Sequence, residues 1–423
     1  MSSSNWKIHP EDRDILLKLA SRMRAIADSP RNTALRQLWY DHDECRCERP
    51  LLLAETDAGI ELVLPNFKPR CREPWAQEQE RNFVAAICHV ETIGDDSPVE
   101  PYVNCGWNLK ISDFGVASHR TAPDTQGFRG AVHIDAVIKD LEKEFCRLHP
   151  RTYSVDRDSS LAFRSFLESL YDGILGVRMR GNPWWSMGLT IVAIDLIGLE
   201  NLMLYMYDQP EALHRLMAFL RDENLALLEW LEKEQLLNLN NENDYIGSGS
   251  RGYSHVLPRK NTASGAGIRA TDIWGLIESQ ETVGVGPDQY EEFVFQYEEA
   301  IARKFGRVYY GCCEPVHTRW HVLKHMPNLT RVSVSPWCDQ AFMAKELGSR
   351  LVYSRKPNPS LISTRVFDEA LIRKDLRDTM ILAREHGCSL EIIMKDVHTL
   401  HGEPDRLTRW VRIAREVADE IHK

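Results

Sequence analysis

Long apolar runs are missing from this chain. Nowhere do the ~18 apolar residues of a membrane-crossing helix follow one another. The opening MSSSNWKIHPEDRDILLKLA also lacks the uninterrupted apolar centre of a secretion signal. The expected location is therefore cytoplasmic, with no membrane partner. A basic stripe is missing too. With 52 Lys and Arg against 62 Asp and Glu, the net charge is −10. That excludes a nucleic-acid partner, since phosphate binding needs clustered cations. No doubled CxxC occurs, and the ten cysteines scatter through 423 residues rather than forming a disulfide framework. In a reducing compartment, cysteines that do not pack are ligands or reactive groups. Cys88, Cys146 and Cys388 sit in apolar or strand-flanking contexts and read as packing. The GSGSRG at 247–252 lacks the lysine of a phosphate cradle and reads as a lid hinge.

What is present is an alternation of short apolar runs and amphipathic helical patterns. The runs EPYVN (100–104), ILGVRMR (174–180), LLNLNNE (236–242), WGLIESQ (274–280), RVYYGC (307–312), RVSVSP (331–336), LVYSRK (351–356) and LEIIMKD (390–396) are the candidate strands. Between them, GPDQYEEFVFQYEEAIARKFG has an acidic first turn, a basic last turn and a closing glycine, the pattern a helix favours. Strands separated by helices pair in parallel through right-handed crossovers. Eight such units predict an α/β fold, a (β/α)8 TIM barrel over residues 96–423. Residues 1–95 are expected to form a helical and β extension packed on it.

In a barrel the active site lies at the carboxyl ends of the strands, and chemistry-bearing residues recur there. In VYYGCCEPVHTRW (308–320), side chains alternate across a strand, so only one of Cys312 and Cys313 is expected to face inward. Cys313, His317, Cys338 and His398 match the sulfur and imidazole donors that zinc takes, with one position left open for chemistry. The alternative is a packed cysteine pair beside a hydrogen-bonding histidine. Asn241 and Asn243, in NLNNENDY, are expected either to orient substrate or to cap a turn. Glu278 is the candidate general acid, because a carboxyl in a dry mouth has its pKa raised; Asp396 is its counterpart after the last strand. Arg178 and Arg355 are candidate forks for an acidic substrate. Trp184 and Trp337 are candidate walls for a flat one.

The run DLIGLENLMLYMYDQPEALHRLMAFL, followed by YYGCCEPVH, NLTRVSVSPW, YSRKPNPS and EIIMKDVHT, resembles the uroporphyrinogen decarboxylase superfamily over residues 95–423. The arginine-rich RQAGR-type segment of the decarboxylases has only the RQ of TALRQLWYDH as a counterpart. The resemblance therefore points to the methyltransferase branch. It implies zinc, a small-molecule methyl donor such as a methoxylated aromatic acid, and a corrinoid carried on a partner protein. Gly311-Cys312-Cys313 stands where that branch carries H-x-C, so His317 is expected to supply the imidazole. In DVHTLHG (396–402) the glycine lies one residue beyond a corrinoid-binding D-x-H-x-x-G. A metal-free decarboxylase or lyase, with arginines on substrate carboxylates, is the alternative. A homodimer is compatible with either.

Overall fold

A computed structural model describes residues 6–47, 49–56, 59–117, 119–121, 133–259 and 267–422. Eight strands run parallel to their neighbours: β1 Leu51–Ala54, β2 Tyr102–Gly106, β3 Gly176–Arg180, β4 Trp274–Ile277, β5 Arg307–Tyr310, β6 Leu329–Val334, β7 Val352–Arg355 and β8 Leu390–Met394. Six form one sheet in the order β1-β8-β7-β6-β5-β4, and β2 pairs with β3 in a second. The chain is thus a mixed α/β protein. β1, β7 and β8 are buried along their whole length, as parallel strands covered on both faces must be. No single helix among the described residues is long and apolar enough to cross a membrane.

Two expectations change. Residues 236–242 are not a strand, and β1, inside the segment expected to be an extension, brings the number of strands in these two parallel sheets to eight. Its LLLA is too short to show a period, and its partner β8 lies at the far end of the chain. The expected closed ring of ladders is also not formed: among the described residues none joins β1 to β2 or β3 to β4.

Side chains serve the backbone at both seams. At β1, Asp96 Oδ2 accepts the Leu52 N–H at 2.9 Å and Asp95 Oδ2 accepts the Ala54 N–H at 3.0 Å. At the other seam, the Asn240 carboxamide accepts the Trp274 N–H at 2.8 Å and donates to the Trp274 carbonyl at 3.1 Å. Asn238 Oδ1 accepts the Gly181 N–H at 2.8 Å. A primary amide carries the same donor and acceptor as a peptide, so these asparagines stand in for a missing strand.

Beneath the sheet, the helix Pro30–Asp43 is locked to the strand starts by buried charge. Arg331 of β6 reaches Asp43 at 3.2 Å and Glu391 of β8 at 3.3 Å, with no exposure of the arginine or Glu391. His42 Nε2 lies 3.2 Å from Glu391, and Arg307 pairs with Asp43 at 2.8 Å. Burial pushes the Glu391 carboxyl up, but Arg331 and His42 outweigh it and hold it far below the usual range. Removing one partner of a buried pair strands the other's charge. Arg331→Met is expected to lose about 3–5 kcal/mol of stability, read from urea unfolding; a loss below ~1 kcal/mol would contradict this account.

Candidate active site

After β5 the chain leaves the strand through Gly311, whose φ of +94° suits glycine. Glu314 then pins the loop from within: Oε2 accepts the Cys312 N–H at 2.8 Å and Oε1 the Ser279 N–H at 3.1 Å. Cys312 and Cys313 do not point to opposite faces, as strand alternation predicts. Their sulfurs lie 3.6 Å apart.

Around them, Lys395 Nζ lies 3.8 Å from Cys312 Sγ and 3.5 Å from Asp396 Oδ2. Ser248 Oγ is 3.8 Å from Cys312 Sγ, and Cys313 Sγ is 3.9 Å from Asp396 Oδ2. Ser248 and Asp396 both hold left-handed backbone, at φ +44° and +58°. For residues with a side chain that conformation is costly, and it concentrates at functional sites. The hydrogen bond between the two thiols, together with burial, raises the Cys312 pKa; the same bond lowers that of Cys313 against the effect of burial.

Beside this cluster lies a cleft of about 250 Å³, lined among others by Asn104, Arg180, Trp184, Trp185, Asp244 and Tyr245. Tyr245 joins the two regions. Trp185 Nε1 donates to its hydroxyl at 3.3 Å, and burial, then the charge of Glu55, raises its pKa to about 12. Arg180 is held by Asp244 at 2.8 Å and by Asn104 at 2.7 Å, so the cleft wall is polar but charge-balanced.

Below the mouth, Glu278 is fully buried. Its Oε2 accepts the Gln280 N–H at 3.2 Å, and its Oε1 has no hydrogen-bond partner among the described residues. Burial, then the neighbouring Glu281 and Glu314, drives its pKa well above the carboxylate range. Burial likewise pushes Glu298 up to about 8.

The other expected site residues have separate places. Arg178 pairs with Glu242 over the Tyr102 ring. Arg355 reaches Asp375 at 3.4 Å. Asn241 donates to the Leu257 carbonyl and Asn243 to the Pro98 carbonyl, both at 2.7 Å, holding loops. Trp184 lines the cleft, whereas Trp337 is 65% exposed.

The four expected metal ligands do not converge. Cys338 Sγ lies 3.6 Å from Ser335 Oγ and 3.9 Å from the Glu314 carbonyl. His317 Nδ1 accepts the Asp339 N–H at 3.3 Å, and His398 is exposed. Among the described residues, no three of His, Cys, Asp and Glu are grouped to hold a metal ion.

Arg180 and Lys395 stand at strand ends and Asp244 and Tyr245 close NLNNENDY, so their stretches carry a signal in the sequence, whereas Ser248 carries none. The Gly311 that lets the chain turn before the cysteines was a further signal.

Lys356, just after β7, is buried and among the described residues bonds only neutral oxygens: Tyr309 Oη at 3.0 Å, and the hydroxyl and carbonyl of Ser354. Burial lowers its pKa to about 7. An unfolded lysine keeps its proton to ~10.4. Between these values the unfolded state binds more protons, so this group's contribution to stability rises with pH. Below ~7 the buried charge weighs on the fold in full. Lys356→Met is therefore expected to raise the melting temperature most near pH ~6 and progressively less toward pH ~10. An equal gain at both ends would show that the charge is not the cause.

No family model and no curated protein matches the chain. A solved structure described as a methyltransferase from Methanosarcina mazei is similar over 92% of this chain and 99% of that one, at 12% identity and a TM-score of 0.49. At that level the likeness carries no argument about function.

Proposed function

We propose that the chain is a methyltransferase of the uroporphyrinogen decarboxylase superfamily, built on a (β/α)8 frame. It moves a methyl group from a methoxylated aromatic or related small donor to a corrinoid on a separate protein. The motifs from YYGCCEPVH to EIIMKDVHT support the family, and eight parallel strands support the frame. The observation that carries the reading is the meeting of Cys312, Cys313, Lys395 and Asp396, which follow the carboxyl ends of β5 and β8, beside a cleft of aromatic and amide side chains.

In this reading Trp184, Trp185 and Tyr245 hold a flat ring, while Asn104 and Asn182 orient its polar substituents. The corrinoid supplies a reduced cobalt as methyl acceptor. Loss of a methyl from an aryl ether leaves a phenoxide that needs a proton, and Glu278, kept neutral by burial and its acidic neighbours, is the donor. Asp396 and Lys395 set the charge at the mouth. The zinc that the resemblance implies finds no group of three His, Cys, Asp or Glu among the described residues, and no step runs through it. The decarboxylase alternative needs guanidinium groups for substrate carboxylates, yet Arg178, Arg180 and Arg355 are each already paired with an acid.

The test is incubation of purified protein with cob(I)alamin and a panel of methoxylated aromatics, with and without a carboxyl group, following methylated corrinoid by absorbance. Methylation with at least one donor is expected, and Glu278→Gln is expected to lower turnover ~100-fold with little change in KM. Carbon dioxide release from the same panel without corrinoid methylation would overturn the reading in favour of a decarboxylase.

A further inference from the structure

We propose that Cys312 and Cys313 form a chelating dithiol site for a trivalent, thiophilic electrophile of the mono-organoarsenic class. The inference rests on the geometry of the pair and is independent of the methyl-transfer reading. Consecutive side chains in a strand diverge. Here they converge because Gly311 turns the chain and Glu314 fixes the Cys312 N–H, leaving the sulfurs 3.6 Å apart. The Ser333 hydroxyl, 2.8 Å from the Cys312 carbonyl, holds the same turn from the next strand. The pair is therefore held in place before any ligand arrives, which lowers the ordering cost of a two-point ligand.

Three features select the ligand class. First, the Cα atoms of adjacent residues across a trans peptide are ~3.8 Å apart, short of the ~4.4–6.8 Å of an unstrained disulfide. Bridging by a third, larger atom suits this pair better than a direct sulfur–sulfur bond. Second, no third His, Cys, Asp or Glu completes a metal-holding group among the described residues. The ligand must be satisfied by two thiolates and bring its third substituent with it. A linear two-coordinate ion would need its sulfurs on opposite sides, whereas a pyramidal centre accepts them side by side. Third, Cys313 is only partly buried and Asp396 beside it is 45% exposed at the side chain, so the pair is approached from the mouth through Cys313. The Lys395 ammonium lies 3.8 Å from Cys312 Sγ, and a positive charge beside the pair favours thiolate formation there.

The reaction balances without an oxidant. An organoarsenic(III) dihydroxide, R–As(OH)2, meets two thiols. Two As–O bonds break, two As–S bonds form, and the thiol protons leave with the hydroxyls as two waters. Arsenic stays trivalent and keeps its carbon substituent.

Phenylarsine oxide is the probe, added in equimolar amount to the full-length protein in excess glutathione and read by intact mass and peptide mapping. One adduct on the peptide holding Cys312 and Cys313 is expected, stable to the monothiol and removed by a small dithiol. Cys312→Ser and Cys313→Ser should each weaken binding ~100-fold, because one thiol loses the chelate's effective concentration. Cys45→Ser with Cys47→Ser should leave it unchanged. Binding as tight as wild type in both single variants, or loss in the Cys45 and Cys47 variant, would overturn the proposal. Cys312 is buried and its serine variant can fail to fold; the partly exposed Cys313→Ser and the mapped wild-type adduct then decide.

Discussion

Arg331 joins three distant parts of the chain through one guanidinium. It sits in β6, binds Glu391 in β8 and Asp43 at the end of an early helix, and is wholly buried. A charge in that position is tolerable only when its partners are in place. The early helix and the late strands are thereby required to assemble together, and β1, which follows that helix, is delivered to the edge of β8. The order of strands at the mouth follows from this knot at the opposite end.

The seam between β3 and β4 has a consequence above it. Where a ladder is missing, Asn238 and Asn240 satisfy the backbone from the side, and those two residues also line the cleft with Arg180 and Trp274. The cleft and the gap in hydrogen bonding are the same place. A strand in register there would close the wall, whereas amides that reach across leave room for a ligand. Gly181 and Gly252 mark how tightly the segment passes, since a Cβ at either would lie about 2 Å from a backbone carbonyl oxygen.

Much of the sheet was legible in the sequence because β4 to β8 are apolar runs bounded by turn residues and separated by helices. LLLA was not legible as a sheet strand, since four residues show no period and its partner is more than 300 positions away. LLNLNNE misled for the opposite reason: its leucines look like a strand, but its asparagines are spent on its neighbours. The mouth was readable in outline, and Glu278 and Cys313 lie where strand ends predict. The pairing of the two thiols was not readable, because alternation holds only while the strand continues and Gly311 ends it. Arg178 and Arg355 drew notice as cations, but a sequence does not show that Glu242 and Asp375 already hold them.

Lys356 and Lys395 show how the fold allots charge at the mouth. Each directly follows a strand, and β7 and β8 are neighbours. Burial acts on both in the same direction, against the ammonium form. What separates them is the partner: Lys356 has hydroxyls and a carbonyl, which leave burial in command, while Lys395 has Asp396 and the sulfur of Cys312, which overcome it. Equivalent residues with opposed pKa shifts mark a site where charge is placed rather than merely tolerated. The positive charge therefore stands with Lys395, beside the thiols. Glu278 repeats the logic with the sign reversed, a carboxyl whose pKa is raised by burial and then by other acids. Between the two lies the polarity of this mouth: a lysine beside two thiols, and a buried carboxyl with a raised pKa beneath.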